Sequence, residues 1–198
     1  ALVLALNGTF GKGHLFTSSV TFADKKNISD DFSPEFPFGY PNNPADIEAE
    51  FGPSRSAEDV RVVLSAVFRA PWQITVAPIV EYGSGQPWTR RLGYDANFDG
   101  KNSDRRAGVG RNEEEGPEFK SLNLRLTKAI AIGSYGVLDL IAEGFNVLDT
   151  KNYDVNSVSA AEYLSAPTTA NPNPVNPNFG KYSATLRPRE VQLGDAAE

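Results

Sequence analysis

The stretch "DANFDGKNSDRR", Asp95 to Arg106, places acidic or amide side chains at alternate positions and a glycine at the bend. Hard oxygen donors in that pattern suit calcium, which takes carboxylates, side-chain amides and a backbone carbonyl from one tight loop. Asp95, Asn97 and Asp99 occupy the first, third and fifth positions, Gly100 the turn, and Lys101 offers the carbonyl that follows. The bidentate glutamate that closes such loops is absent, since Arg106 stands there; Asp104 would supply the carboxylate instead. The same residues also suit a turn-rich loop in which Asp and Asn cap their own backbone, with Arg105 and Arg106 neutralising the carboxylates. Both readings stay open. A calcium ion here would stabilise the loop and perform no catalysis.

A second candidate is "EFPFGYPNNP", which sets Phe36, Phe38 and Tyr40 on a proline-rich segment, either as a ligand-contacting surface or as a self-packed loop. His14, the single histidine, adjoins a glycine turn with no acid partner or nucleophile in view, and reads as structural. "EEE" at 113–115 reads as a solvated charge run, and "NPNPVNP" at 171–177 as an extended low-complexity stretch. The "GVG" at 108–110 has no strand–helix context, so a nucleotide loop is excluded.

Composition narrows the classes further. The 198 residues hold no cysteine and one histidine, which removes thiolate chemistry, disulfides and histidine-rich metal centres. With 19 Lys and Arg against 25 Asp and Glu, the formal net charge is −6, the wrong sign for a nucleic-acid partner. No nucleophile–base pair or catalytic metal set is visible, so an enzyme is not expected. Apolar residues make up 40% of the chain, enough for a folded structure. The longest apolar run is "ALVLAL", far short of the roughly 20 residues of a membrane helix. The mean hydropathy of −0.36 does not separate a soluble chain from a β-barrel, which dilutes lipid-facing residues with lumen-facing ones and polar loops.

The elements that must position these residues have period two. Leu2, Leu4, Leu6, Gly8 and Phe10 alternate with Ala1, Val3, Ala5, Asn7 and Thr9. Val60, Val62, Leu64, Ala66 and Phe68 alternate with Arg61, Val63, Ser65, Val67 and Arg69, and Leu122, Leu124 and Leu126 with Ser121, Asn123, Arg125 and Thr127. Such alternation predicts strands with one apolar face, and seven of them can be counted. Short connections, "GKG" (11–13), "APW" (70–72) and "GSYG" (133–136), alternate with long ones, roughly 24–58, 84–118 and 149–186. Long loops at every second connection all emerge at one end of a sheet, the layout of an outer-membrane barrel. Phe10 and Trp72 beside the short turns, and Phe22, Tyr82 and Trp88 towards the long loops, would then form two aromatic girdles.

Two residues strain this scheme. Pro78 removes a ladder donor from "QITVAPIVEY" and predicts a bulge or irregularity there. Lys128 shares a face with Leu126 and Ile130, so it must lie near the short-turn rim, where its stem reaches water.

Several segments resemble the C-terminal barrel region of TonB-dependent outer-membrane receptors, in particular the Oar-like group. "GSGQPWTRRLGYDANFDGKNSDRRAGVGRN" is similar to the family's strand end, Asp/Asn/Gly loop and "DRPxGxGRN" run, with Arg106 where the family has proline. "FKSLNLRLTKAI", "LIAEGFNVLDTKNYDV" and "FGKYSATLRPREVQLG" follow in the family's order, the last with "PRxxQLG" intact. "FGPSRSAEDVRVVLSAVFRAP" resembles an earlier family stretch, without the histidine after Arg61.

The resemblance implies an all-β, antiparallel up-and-down transmembrane barrel with short periplasmic turns and long extracellular loops. Residues 1–198 would be the C-terminal portion, the plug domain and remaining strands of a barrel of about 22 strands lying outside this chain. It implies a bacterial outer-membrane location, lipid as the surrounding partner, and coupling to TonB through the absent plug. The ligand would be scarce: a siderophore, oligosaccharide or peptide, taken up or exported. The family's closing strand ends in an aromatic residue, whereas this one reads "VQLGDAAE". The alternative is a calcium-stabilised extracellular β-domain with a binding or adhesion role.

Overall fold

The computed structural model describes residues 1–11, 13–30, 41–43 and 45–197. The chain order of strands is β1 (Leu2–Phe10), β2 (His14–Phe22), β3 (Lys26–Asn27), β4 (Gly52–Pro53), β5 (Val60–Ala70), β6 (Ile74–Gly83), β7 (Phe119–Ala131), β8 (Val137–Phe145) and β9 (Glu190–Ala197). Seven of them form one antiparallel sheet in the order β1-β2-β5-β6-β7-β8-β9; β3 and β4 make a small separate ladder inside the first long connection. Each strand of the large sheet pairs with its neighbours along the chain, so the topology is an up-and-down meander. The sheet is open here, with β1 and β9 as its edges.

Register carries the period-two pattern from single strands to a whole surface. Residues directly opposite in an antiparallel pair share a face. The pairs Leu4↔Val20, Val20↔Val62, Val62↔Tyr82, Val80↔Leu122, Leu126↔Ala142 and Ala142↔Leu193 therefore join the apolar sets of all seven strands on one side. The other side carries Arg61, Glu81, Asn123, Arg125, Glu143 and Gln192. Arg61 pairs with Glu81 (3.1 Å) and Glu58 (3.2 Å), and Arg125 with Glu143 (3.5 Å), while Gln192 donates to Glu143. The sheet thus has a predominantly apolar side, with Lys120, Lys128 and Asp195 towards its ends, and a side that carries the ion pairs together with Val63, Ile79 and Ile141.

Nothing among the described residues covers the apolar side. Leu4 is 55% exposed, Leu6 61% and Leu193 82%. Among the described residues the buried apolar ones are Ala57, Trp88, Leu92, Val155 and Ala160, and each belongs to a long connection rather than to the large sheet. The packed core thus sits in the loop layer at one end of a bare sheet.

The short connections behave as their residues dictate. Gly11 and Gly13 take φ of 56° and 87°, which a side chain would oppose, and so close the β1–β2 hairpin. At the next turn Trp72 and Gln73 adopt left-handed backbone (φ 60° and 58°), leaving the Trp72 ring 81% exposed. Lys128 faces Ile74 and Leu140 across the ladders and donates to the Trp72 carbonyl, at the short-turn rim as its sequence position requires. His14 accepts from the Arg69 amide at 3.0 Å and its ring lies 5.0 Å from Phe10 and 6.0 Å from Phe68, a structural role.

At Pro78 the expected irregularity is present, but as a break in one ladder and not as a bulge. Pairing of β6 with β5 lapses after Ser65↔Ile79 and resumes at Phe68↔Val76 in the same register, whereas pairing with β7 runs unbroken through Pro78↔Leu124. The proline interrupts one ladder and inserts no bulge, because its missing donor faces a single neighbour.

Candidate functional site

The three long connections form one polar layer, and buried charge joins them. Arg111, from the β6–β7 connection, reaches Asp30 in the first connection, together with the Asn27 carbonyl and side-chain oxygen and the Glu50 carbonyl (3.1 Å). Asn112 donates to the same Asp30 carboxylate (2.6 Å) and to the Pro53 carbonyl (2.8 Å). Arg105 grips Glu50 with two nearly parallel bonds of 2.8 and 2.7 Å, and its amide donates to Asn42 Oδ1 at 2.7 Å. Side chains in both pairs are at most 8% exposed. Removing one partner of such a pair strands a charge in the interior, at a cost of about 3–5 kcal/mol.

Burial pushes the Asp30 carboxyl up, but the Arg55 amide, Asn27, Asn112 and the Arg111 charge outweigh it, so its pKa lies below the ordinary value. The Glu50 carboxyl follows the same rule: burial raises it, and Arg105, the Asn42 amide and Arg111 bring it below its usual range. Both acids are therefore firmly ionised at neutral pH.

The third connection joins through backbone and amides. Arg91 N donates to Ala160 O (2.9 Å), Glu162 N to Arg91 O (2.8 Å) and Tyr163 N to Leu92 O (3.0 Å). Asn152, 3% exposed, accepts from Lys120 N and donates to Lys120 O, both at 2.8 Å, extending the β7 ladder with a side chain. Asn146, 4% exposed, spans Thr150 in the same way. Trp88 packs edge-on against Phe179 at 5.9 Å beside Val155 and Ala160. The expected place of Trp88 in an aromatic girdle is thus corrected: it is the centre of the loop core.

The Asp95–Asp104 segment exposes Ala96–Phe98 and Gly100–Asn102 and buries Asp104. Asp95 accepts from Asp99 N (3.1 Å) and Gly100 N (2.9 Å), Asn97 Oδ1 from Asp99 N (3.0 Å), and Asp99 from Lys101 N (2.8 Å). Asp104, 2% exposed, uses Oδ2 on Ala96 N (2.6 Å) and Asn97 N (3.1 Å), while its Oδ1 has no partner among the described residues. These are the contacts of a loop that caps its own backbone. Among the described residues no group of three or more acidic, histidine or cysteine side chains is placed to hold a metal ion. An ion would have to draw Asp95 and Asp99 away from the amides they now serve.

The neutralising role expected of the paired arginines is also corrected. Arg105 turns to Glu50, and Arg106 to Glu162 and Tyr163 in the third connection. Within 113–115, Glu114 pairs with Arg90 at 2.7 Å rather than standing free. In 171–177, Asn176 is 7% exposed and donates to Ser159 Oγ (2.9 Å) and Ala161 O (2.8 Å), so this stretch is tied into the layer. Phe36, Phe38 and Tyr40 lie outside the described residues.

Comparison of the chain with protein-family models, with curated proteins and with solved structures gives no match.

Proposed function

We propose that this chain is part of the wall of a bacterial outer-membrane β-barrel, in a transporter of the TonB-dependent, Oar-like type. The observation that carries the reading is the seven-strand register with one continuous, uncovered apolar side and one ion-paired side. Lipid is the natural cover for a surface that no layer of the described residues meets, and a water-filled lumen suits the side bearing Arg61, Glu81, Arg125 and Glu143.

Three further features support it. The strands of the large sheet run from 8 to 13 residues, a length range that brackets the roughly 9–11 of a tilted membrane strand. All short turns leave one end and all long loops the other. The unpaired edges at β1 and β9 call for further strands, because open edges are not tolerated in hydrocarbon. In this reading the loop layer faces outside, where it meets the ligand, and TonB acts through a plug beyond this chain.

The test is cell fractionation of the native protein. An integral barrel sediments with the outer membrane, resists extraction by alkaline carbonate and urea, and changes mobility on gels when heated. Recovery in the soluble fraction without detergent would overturn the reading and favour an extracellular β-domain.

A further inference from the structure

Inside the loop layer, side chains from all three long connections line a single cavity, among them Arg55, Arg91, Arg105, Arg111 and Asn156. Arg105 is matched by Glu50 and Arg111 by Asp30. Arg55 donates to Asn156 Oδ1. Arg91 is different. Its backbone is fixed between Ala160 and Glu162, and its half-buried guanidinium has neither a carboxylate nor a hydrogen-bond acceptor among the described residues.

Burial, and next the charge of Arg55 nearby, lower the Arg91 pKa from the ordinary arginine value. A guanidinium nevertheless keeps its proton in any protein, so it cannot relieve the burden by neutralising. A partly desolvated cation that lines a cavity, with no acceptor for its N–H donors among the described residues, is suited to an anionic partner.

We propose that this cavity is a binding site for a small oxyanion, a carboxylate or phosphate group, with the planar fork of Arg91 as its principal donor. Ser103, which lines the same space, adds a neutral hydroxyl donor. Arg105 and Arg111 are committed to their own acids and shape the wall without competing for the anion. Trp88, Val155 and Val158 also line the space and make it partly apolar, which strengthens a charge-assisted bond. The site deepens the transporter reading by giving its ligand an anionic group, and rests on that reading only for the side of the membrane it opens to.

The test is a titration of the native protein, in detergent if it is membrane-bound, with inorganic phosphate and with citrate against chloride at equal ionic strength. Heat of binding and melting temperature are both read. At least one probe is expected to bind saturably and raise the melting temperature; phosphate alone or citrate alone identifies which oxyanion fits. Arg91→Met is expected to weaken that binding about tenfold or more, as loss of a charged hydrogen-bond donor should, and to melt no lower than wild type in chloride. Arg91→Lys, which keeps the charge and loses the fork, is expected to bind more weakly than wild type while folding normally, and carries the test if Arg91→Met does not fold. No saturable binding of either probe, or unchanged affinity in the variant that folds, overturns the site. Failure with the protein still in the outer membrane removes the anion site alone; a soluble protein that binds phosphate removes the barrel alone.

Discussion

Asp30 and Glu50 show how single residues hold the loop layer in place. Each carboxylate collects donors from segments far apart in the chain, Arg111 being 81 residues from Asp30 and Arg105 55 from Glu50. Both groups titrate lower in the folded protein than their ordinary values of 3.8 and 4.5. The unfolded chain thus binds protons more readily at low pH, so their stabilisation is complete above those ordinary values and is lost as pH falls through the depressed ones. Hydrogen exchange of the loop amides should accelerate as pH drops below about 4, after correction for intrinsic rates, while strand amides stay protected. Equal loosening of loops and strands would contradict this. The Asp95–Asp104 loop gives a second residue-level expectation. Its amides are already capped by its own carboxylates, so chelation should leave the melting temperature unchanged. A fall of several degrees with EDTA, reversed by calcium, would establish the calcium reading instead.

Of these residues, only the loop's tight spacing was visible in the sequence. Asx capping is local, and the alternation of Asp and Asn from Asp95 to Asp99 encodes it. The Arg111–Asp30 and Arg105–Glu50 pairs are not local, and nothing in the spacing of an arginine says which distant acid it will meet. Arg105 and Arg106 were natural partners for the neighbouring carboxylates, yet backbone amides took those oxygens first.

Among the elements, the strands were the most legible part, because a side-chain period of two survives any register while it fixes which face each residue takes. The seven alternating segments map onto the seven strands of the large sheet, and the hairpin turns fall at the glycine-rich and Pro-Trp sequences. Pro78 was visible as a disturbance, but whether it would bulge the strand depended on which neighbour its missing donor faced. Lys128 was placed by a solvation argument, and its bond to the Trp72 carbonyl answers it. The apolar side makes an element-scale claim that substitution can check. Leu124 lies near the middle of β7 on that side, opposite Pro78 and Gly144. Leu124→Arg should destabilise the assembled protein by about 2–4 kcal/mol if it faces the lipid midplane, whereas Lys128→Leu at the rim should change it little. Urea titration of the folded protein in lipid vesicles reads the difference; equal effects at both positions would argue against a lipid-facing side.

At the scale of the whole molecule, the notable division is between a sheet without a core and a loop layer that has one. Trp88, Val155 and Ala160 are buried among loops, while leucines of the sheet stand open. Sequence patterns place an aromatic near a strand end without saying whether it turns to a membrane interface or into a loop core, which is why Trp88 was misassigned. The layer places Arg91 and Arg55 in the lining of a shared cavity, at the long-loop end of the sheet. On the proposed reading, a membrane would cover the apolar side and further strands would pair with β1 and β9.

The measurement that bears most directly on this is the location and extractability of the native protein. Separated membranes, washed with alkaline carbonate and urea and probed with an antibody to this chain, should retain it in the outer-membrane fraction with heat-dependent gel mobility. Release into the aqueous wash as a soluble folded species would contradict the account, since the apolar side would then have to be covered by protein rather than lipid.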